Sequence, residues 1–173
     1  MIIGKRVILR ALEKEDIKNC WKWINDPEII KGLYMIFPMS KYEEEKWYEK
    51  SIGDDRNKYF AIEVNKKHIG NIGLHGIDWI NRKAELGIMI GEKDYLNKGY
   101  GTDAIKTTLR YAFNKMNLHK IQLRVYEFNE RALKCYEKCG FKKEGVMRED
   151  LFRDGKYHNA VFMSILRSEF NEI

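Results

Sequence analysis

Proline is scarce, with two in 173 residues. No proline-rich stretch offers a linker, and this length suits one domain, residues 1–173, around one core. No run approaches the roughly 18 apolar residues of a membrane helix, so no membrane partner is expected. The opening Met1-Ile2-Ile3-Gly4-Lys5-Arg6 passes straight into a strand-like segment, unlike a secretory signal. A cytoplasmic protein is the resulting expectation. Cysteine is sparse too: Cys20, Cys135 and Cys139. An odd number without a signal points to free thiols. Cys135 and Cys139 are four apart, and no second pair completes a zinc site, so no metal is expected and all three read as small core residues. The histidines, His68, His75, His119 and His158, are scattered; only His75, late in a strand, is placed to line a site.

What is plentiful is charge. Lys and Arg number 32 against 26 Asp and Glu, a net charge of +6. The signs are interspersed, which describes a solvated mixed surface. A positive balance also suits a polyanion, either a nucleotide-like cofactor or nucleic acid. A nucleic-acid binder would cluster its cations among exposed aromatics, and no such cluster is seen, so nucleic acid is not expected as a partner. No coiled-coil heptad sets an oligomeric state; a homo-oligomer is compatible with the pattern.

Hydrophobic spacing predicts a strand over residues 5–10 and a helix over 13–25, carrying Ile17, Cys20, Trp21 and Ile24 on one side and stopped by Asn25-Asp26-Pro27. Ser40 and Glu43 form a capping-box signature for a helix over 41–51. Strands follow over 59–64 and 68–77. The alternating segment 83–90 places Ala84, Leu86, Ile88 and Ile90 on one face and Glu85, Gly87 and Met89 on the other. A long helix over 99–116, a strand over 120–126 and a helix capped by Asn129 and ending at Gly140 come next. Two last strands flank Asp154-Gly155, a type I′ hairpin turn. The predicted fold class is α/β (α+β), with a single mixed, mostly antiparallel central sheet flanked by helices.

The stretch Asn97-Lys98-Gly99-Tyr100-Gly101-Thr102 opens the long helix. Glycines at 99 and 101 let a ligand approach the backbone, and the unpaired N–H groups of a helix start attract an anion such as a pyrophosphate. Lys98 adds charge and Thr102 a hydroxyl. The loop lacks the Gly-Lys-Ser/Thr ending of a Walker loop, and no glycine at 104 completes GxGxxG.

A second motif runs from Asn129 to Phe141. Together the two resemble the GNAT superfamily of acetyl-CoA-dependent N-acetyltransferases. That family's loop reads Arg/Gln-x-x-Gly-x-Gly/Ala, met here by Gly99 and Gly101, with Leu96 at the Arg/Gln position. Its later helix often reads Asn-x-x-Ala-x-x-x-Tyr-x-Lys-x-Gly-Phe, met at Asn129, Ala132, Tyr136, Lys138, Gly140 and Phe141. The segments 6–10 and 82–88 and the closing hairpin resemble the branch of ribosomal-protein N-terminal and spermidine or diamine acetyltransferases.

The resemblance implies a GNAT-like acyl-CoA N-acyltransferase fold and direct attack of an amine on acetyl-CoA, its co-substrate, in a ternary complex. Tyr136 would protonate the departing thiolate. Glu85 is the candidate base; alternatively it forms a salt bridge with Arg82 or Lys83. A backbone N–H near Ile88 or Met89 would polarise the thioester carbonyl, and Ile90, Asn129, Ala132 and Lys138 would complete the cofactor contacts with residues 96–102. Gly87 would permit a bulge that splays the strand to admit pantetheine. No reactive cysteine is needed, and Cys135 should project away from Tyr136. The acceptor, a protein N-terminal amine or a small amine, should sit near Glu28, Tyr34, Phe37 and Tyr157. The apolar Leu33-Tyr34-Met35-Ile36-Phe37 departs from the acidic loop of polyamine enzymes. A catalytically silent acyl-CoA sensor is the reading of another class.

Overall fold

The structure, a computed structural model, describes residues 1–35 and 37–171. Its strands are β1 (Ile2–Ile3), β2 (Ile8–Ala11), β3 (Lys58–Val64), β4 (Lys67–Asp78), β5 (Lys83–Ile90), β6 (Lys120–Tyr126), β7 (Lys142–Arg153) and β8 (Lys156–Leu166). They form one sheet in the order β1-β2-β3-β4-β5-β6-β8-β7. Every neighbouring pair is antiparallel except β5 and β6. The helices are α1 (Ile17–Ile24), α2 (Pro27–Ile30), α3 (Lys41–Ser51), α4 (Tyr100–Asn114) and α5 (Glu130–Lys138). The mixed, mostly antiparallel sheet flanked by helices is as expected.

Strand alternation divides the helices between two faces. On β3, Tyr59 meets Trp47 of α3 with ring centroids 5.0 Å apart, while its neighbour Phe60 meets Tyr111 of α4 at 6.4 Å. On β4, Asn71 shares the Tyr59 side and donates to Cys20 Sγ of α1 at 3.1 Å. The apolar core lies on the α4 side, where Ile72, Leu74, Leu86 and Leu123 bury against Ile105, Leu109 and Phe113. Burial of such side chains stabilises by about 1.5–3 kcal/mol each.

The N-terminal segment departs from expectation. The strand begins at Ile8 rather than Lys5, because the Asp103 carboxylate captures the backbone N–H groups of Lys5, Arg6 and Val7 at 3.2, 2.7 and 3.0 Å. Asn25-Asp26-Pro27 does follow the end of α1, yet it also starts α2. Asp26 accepts from Glu28 N at 3.0 Å, and Pro27 takes the first helical position, where a missing N–H costs nothing. The capping box of α3 forms, with Glu43 N to Ser40 Oγ at 3.2 Å and Ser40 N to Glu43 Oε2 at 2.8 Å. Asp154 and Gly155 have φ of 52° and 76°, both positive as a type I′ turn requires.

Between α1, α3 and the sheet lies a polar cluster. Arg10 bonds Asp16 at 2.6 and 2.9 Å and Glu63 at 2.7 Å, and His68 Nε2 lies 2.8 Å from Asn71 Oδ1. Glu44, only 6% exposed, makes no side-chain hydrogen bond among the described residues, and burial pushes its carboxyl up to about 7. A folded value above the ordinary 4.5 means the folded state holds this proton more tightly than the unfolded one. That stabilisation is complete below about pH 4.5 and is lost as pH rises through about 7. Glu44→Gln, which keeps the shape without the charge, is expected to gain about 2–3 kcal/mol over wild type at pH 8 and little at pH 4. Urea unfolding at the two pH values measures this; equal stabilities at pH 8 would contradict it.

Candidate active site

β5 and β6 pair over three rows only, Lys83↔Lys120, Ala84↔Ile121 and Glu85↔Gln122. β6 then stays with β8 along its whole length, Lys120↔Leu166 to Tyr126↔Ala160, and leaves β5. The edge of β5 from Leu86 to Ile90 faces a cleft of about 1360 Å³. Edge groups without a strand partner are open to pairing with a ligand. Gly87 carries no bulge, contrary to expectation: β5 keeps unbroken register with β4 from Gly70↔Ile90 to His75↔Glu85. The gap comes from β6 following its other neighbour. Gly87 instead leaves room, since a Cβ there would lie 2.8 Å from His75 Nε2.

Leu96, Asn97, Gly99, Tyr100, Gly101 and Thr102 line one end of the cleft. Gly99 caps α4 at φ 83°, a left-handed conformation that suits glycine. The first-turn N–H groups have no intrahelical acceptor, and the fifteen residues of α4 direct the positive end of its dipole here. Arg131, Lys134 and Lys138 of α5 line the same cleft. Glu130 lines it too, 4.0 Å from Lys134, and backbone donors with the remaining positive balance of α5 fit a pyrophosphate. Lys98 does not line the cleft; its carbonyl accepts a hydrogen bond from Arg6. The Arg6 guanidinium also lies 4.5 Å from the centroid of the Tyr100 ring. Asp103, by holding the Arg6 backbone, ties the chain's start to this loop. Nothing in the sequence pattern singled out Arg6, a contact across 92 residues.

Asn129 Oδ1 accepts from Ala132 N at 3.2 Å and caps α5. Ala132 and Tyr136, one turn apart, both line the cleft. Tyr136 is 8% exposed, and burial pushes its phenol above the ordinary range. No side chain among the described residues bonds its hydroxyl, and no sealed side-chain oxygen is left without a partner there, so the hydroxyl keeps contact with solvent. Cys135 lines the cleft as well, and its Sγ is directed to Thr102 Oγ1 at 3.3 Å, away from Tyr136 as expected. Hydrogen bonding from Cys139, aided by Thr102 and the charges of Lys138 and Arg131, draws the Cys135 thiol down.

The other end is acidic and aromatic. Glu28 and Tyr34 line it, whereas Phe37 and Tyr157 lie outside, 79% and 62% exposed. Tyr157 packs on Phe152 at 5.0 Å. Ile36 lies outside the described residues. Glu28 pairs with Lys93 at 2.5 Å; Glu85 pairs with Arg124 of β6 at 3.4 Å rather than with Arg82 or Lys83. Asp150 also lines the cleft and carries no ion pair among the described residues. A register shift between Met147 and Leu151 presents it, with Glu149 at φ 54° and its N–H on Asn159 Oδ1 at 2.9 Å. Arg153 clamps the segment after α2 by donating to the carbonyls of Lys31, Leu33 and Met35 at 2.5, 2.6 and 3.3 Å. Among the described residues no group of three or more His, Cys, Asp or Glu converges as a metal site, and no helix is long and apolar enough to cross a membrane.

A family model described as an acetyltransferase (GNAT) domain matches residues 6–142. A spermidine N(1)-acetyltransferase of Vibrio cholerae is 34% identical over 170 residues, covering 97% of both chains. A putative ribosomal N-acetyltransferase of Bacillus subtilis is 29% identical, covering 97% of this chain and 95% of that one. The crystal structure of the Vibrio cholerae spermidine N-acetyltransferase in complex with CoA and spermine superposes with a TM-score of 0.90 at 35% identity, covering 95% of this chain and 97% of that one.

Arg6 braces the loop from behind, so Arg6→Ala is expected to weaken coenzyme A binding about fivefold, roughly the 1 kcal/mol of one preorganising hydrogen bond. Isothermal titration with coenzyme A measures it; unchanged affinity would show that the loop holds its shape unaided.

Proposed function

The chain belongs to the GNAT acetyltransferase family, and from that premise we propose that its acceptor is a cationic primary amine of the polyamine class. It is an N-acetyltransferase that moves the acetyl group of acetyl-CoA onto an amine. Acetyl-CoA supplies the activated acyl group; the chain's residues bind it, expose one face of it and manage protons.

The cofactor contacts proposed are the backbone of Leu96 to Thr102 for pyrophosphate, with Lys98 acting through the loop it shapes, and the open β5 edge at Ile88, Met89 and Ile90 for the pantetheine arm. Asn129, Ala132 and Lys138 of α5 complete them. Tyr136 is the proposed acid. Its side chain lines the cleft, and its burial keeps the phenol protonated until a thiolate needs the proton. Glu85 stands on the face opposite Leu86, where an amine would shed its proton. No metal enters the proposed chemistry, and residues 1–173 act as one acetyltransferase domain. The free thiols suit a reducing cytoplasm.

The observation that carries the acceptor class is the set of carboxylates lining the cleft, Asp150, Glu28 and Glu85, together with the aromatic rings of Tyr34, Tyr126 and Phe128. Lys93 and Arg124 partly offset Glu28 and Glu85, which leaves Asp150 as the principal carboxylate for a cation. The apolar segment expected to disfavour a polyamine is bypassed, because the charge comes from β5, β7 and α2. Similarity to the spermidine enzymes supports the same class. The apolar Leu33 beside Tyr34 favours a second reading, a peptide N-terminal amine.

Thiol release from acetyl-CoA, followed over a panel of spermidine, spermine, diamines, an amino sugar and an N-terminal peptide, tests the proposal. Turnover confined to the peptide would overturn the polyamine class. Binding of acetyl-CoA without turnover of any amine would instead favour a sensor. Tyr136→Phe should lower kcat about 100-fold with coenzyme A affinity nearly intact; a loss mainly in affinity would contradict its role as acid. Asp150→Asn should raise KM for spermidine about tenfold, the scale of one charge-assisted contact, and leave KM for acetyl-CoA unchanged. An equal effect on both would place Asp150 outside the acceptor site.

A further inference from the structure

Glu85 is a poor base by itself. It is paired to Arg124, whose guanidinium occupies the carboxylate that would have to accept an amine's proton. A better-matched group lies directly across the ladder. His75 of β4 is the cross-strand partner of Glu85, and both line the cleft on the side away from α4.

Two glycines clear space for the ring. A Cβ on Gly87 would sit 2.8 Å from His75 Nε2, and one on Gly73 would sit 3.3 Å from Cε1. The Nε2 edge therefore overhangs the β5 backbone one residue from Ile88, at the point where β6 departs. Tyr59 holds the ring edge-on at 5.1 Å and is itself held by Trp47 at 5.0 Å. Neither ring nitrogen bonds a side chain among the described residues, and neither is sealed without a partner, so both are reachable. A second, small pocket of about 120 Å³, lined by His75, Lys83, Glu85 and Gln122, opens beside the same pair. The imidazole and the carboxylate thus stand between the acceptor end and an exit to solvent.

We propose that His75 Nε2 takes the proton from the acceptor amine, with the Glu85 carboxylate stabilising the imidazolium. This rests on the acetyltransferase reading and replaces the lone carboxylate by a pair. The ammonium that enters loses one proton to Nε2. The nitrogen lone pair then forms the C–N bond as the C–S bond breaks. The departing sulfur takes a proton from Tyr136, and the second proton that leaves nitrogen as the amide forms passes through solvent in the cleft to restore the Tyr136 phenol. The net release is one proton, which passes from Nε2 to solvent through the small pocket while Tyr136 is reprotonated. The charged and titratable groups facing His75 are Glu85 and Lys83 on β5, Arg124 of β6 behind Glu85, and Tyr59 of β3. Burial holds the imidazole below its ordinary 6.5, opposed by Glu85, so it is neutral and able to accept at pH 7.

The test is the pH dependence of kcat/KM for His75→Gln, with whichever panel amine the wild type acetylates. Wild type should lose activity below a half-point under pH 6.5. His75→Gln should lose about 100-fold in kcat/KM and that acidic limb with it, while coenzyme A affinity stays within about twofold of wild type, since Nε2 is placed at the acceptor. Should His75→Gln fail to fold, Gly87→Ala, which leaves the imidazole but takes its space, should give the same loss. A variant that keeps the wild-type acidic limb and rate overturns the assignment. A wild type inert towards every amine overturns instead the function on which it rests.

Discussion

The parting of β6 from β5 after three paired rows is the constraint from which the site follows. A parallel pair that stayed zipped would satisfy every edge group with its neighbour and leave no slot. Because β6 keeps full register with β8, the cost of ending the β5 ladder falls on a few N–H and C=O groups at Leu86–Ile90. Those groups then lie between two helix starts, α4 with its glycine loop and α5 with its Asn129 cap. The sheet brings them together; neither helix alone would make more than an anion site.

The cleft inherits a charge gradient from this placement. Arg131, Lys134 and Lys138 of α5 outnumber Glu130 there, and Glu28, Glu85 and Asp150 from α2, β5 and β7 outnumber Lys31 and Arg124 elsewhere in the lining. On the proposed reading, a polyanionic cofactor and a cationic acceptor would be drawn to different parts of one opening and so ordered before any reaction. The same arrangement explains the environment of Cys135. Its cationic neighbours Lys138 and Arg131 line the same cleft, and its thiol contacts Thr102 in the loop itself.

Local signals were legible in the sequence and distant ones were not. The capping box at Ser40, the alternation over Lys83–Ile90 and the Asp154-Gly155 turn are each written within a few residues, and each formed as read. The strand expected over residues 5–10 lost its first half to Asp103, about 97 positions away. Arg6 on the Lys98 carbonyl and Arg153 on the loop after α2 are bonds across 92 and 122 residues, with no periodicity to reveal them. Asp150 was hidden for another reason. Its place depends on a register shift, and alternation cannot say on which side of a bulge a side chain emerges.

Gly87 shows how a correct signal can carry the wrong cause. A glycine inside a strand marks either a backbone distortion or a close approach. The unbroken β4–β5 register removes the first, and the 2.8 Å between a hypothetical Cβ and His75 Nε2 supplies the second. The two explanations place the functional atom differently. A bulge would make β5 itself the irregular element and leave β4 as scaffold. Space for an imidazole makes β4 a contributor of chemistry and lets β5 stay regular. Regularity matters here, since the open edge of β5 can present evenly spaced donors and acceptors to an extended ligand only if the strand remains straight along its other neighbour. The glycine thus serves the reacting end by what it omits, without disturbing the backbone beside it.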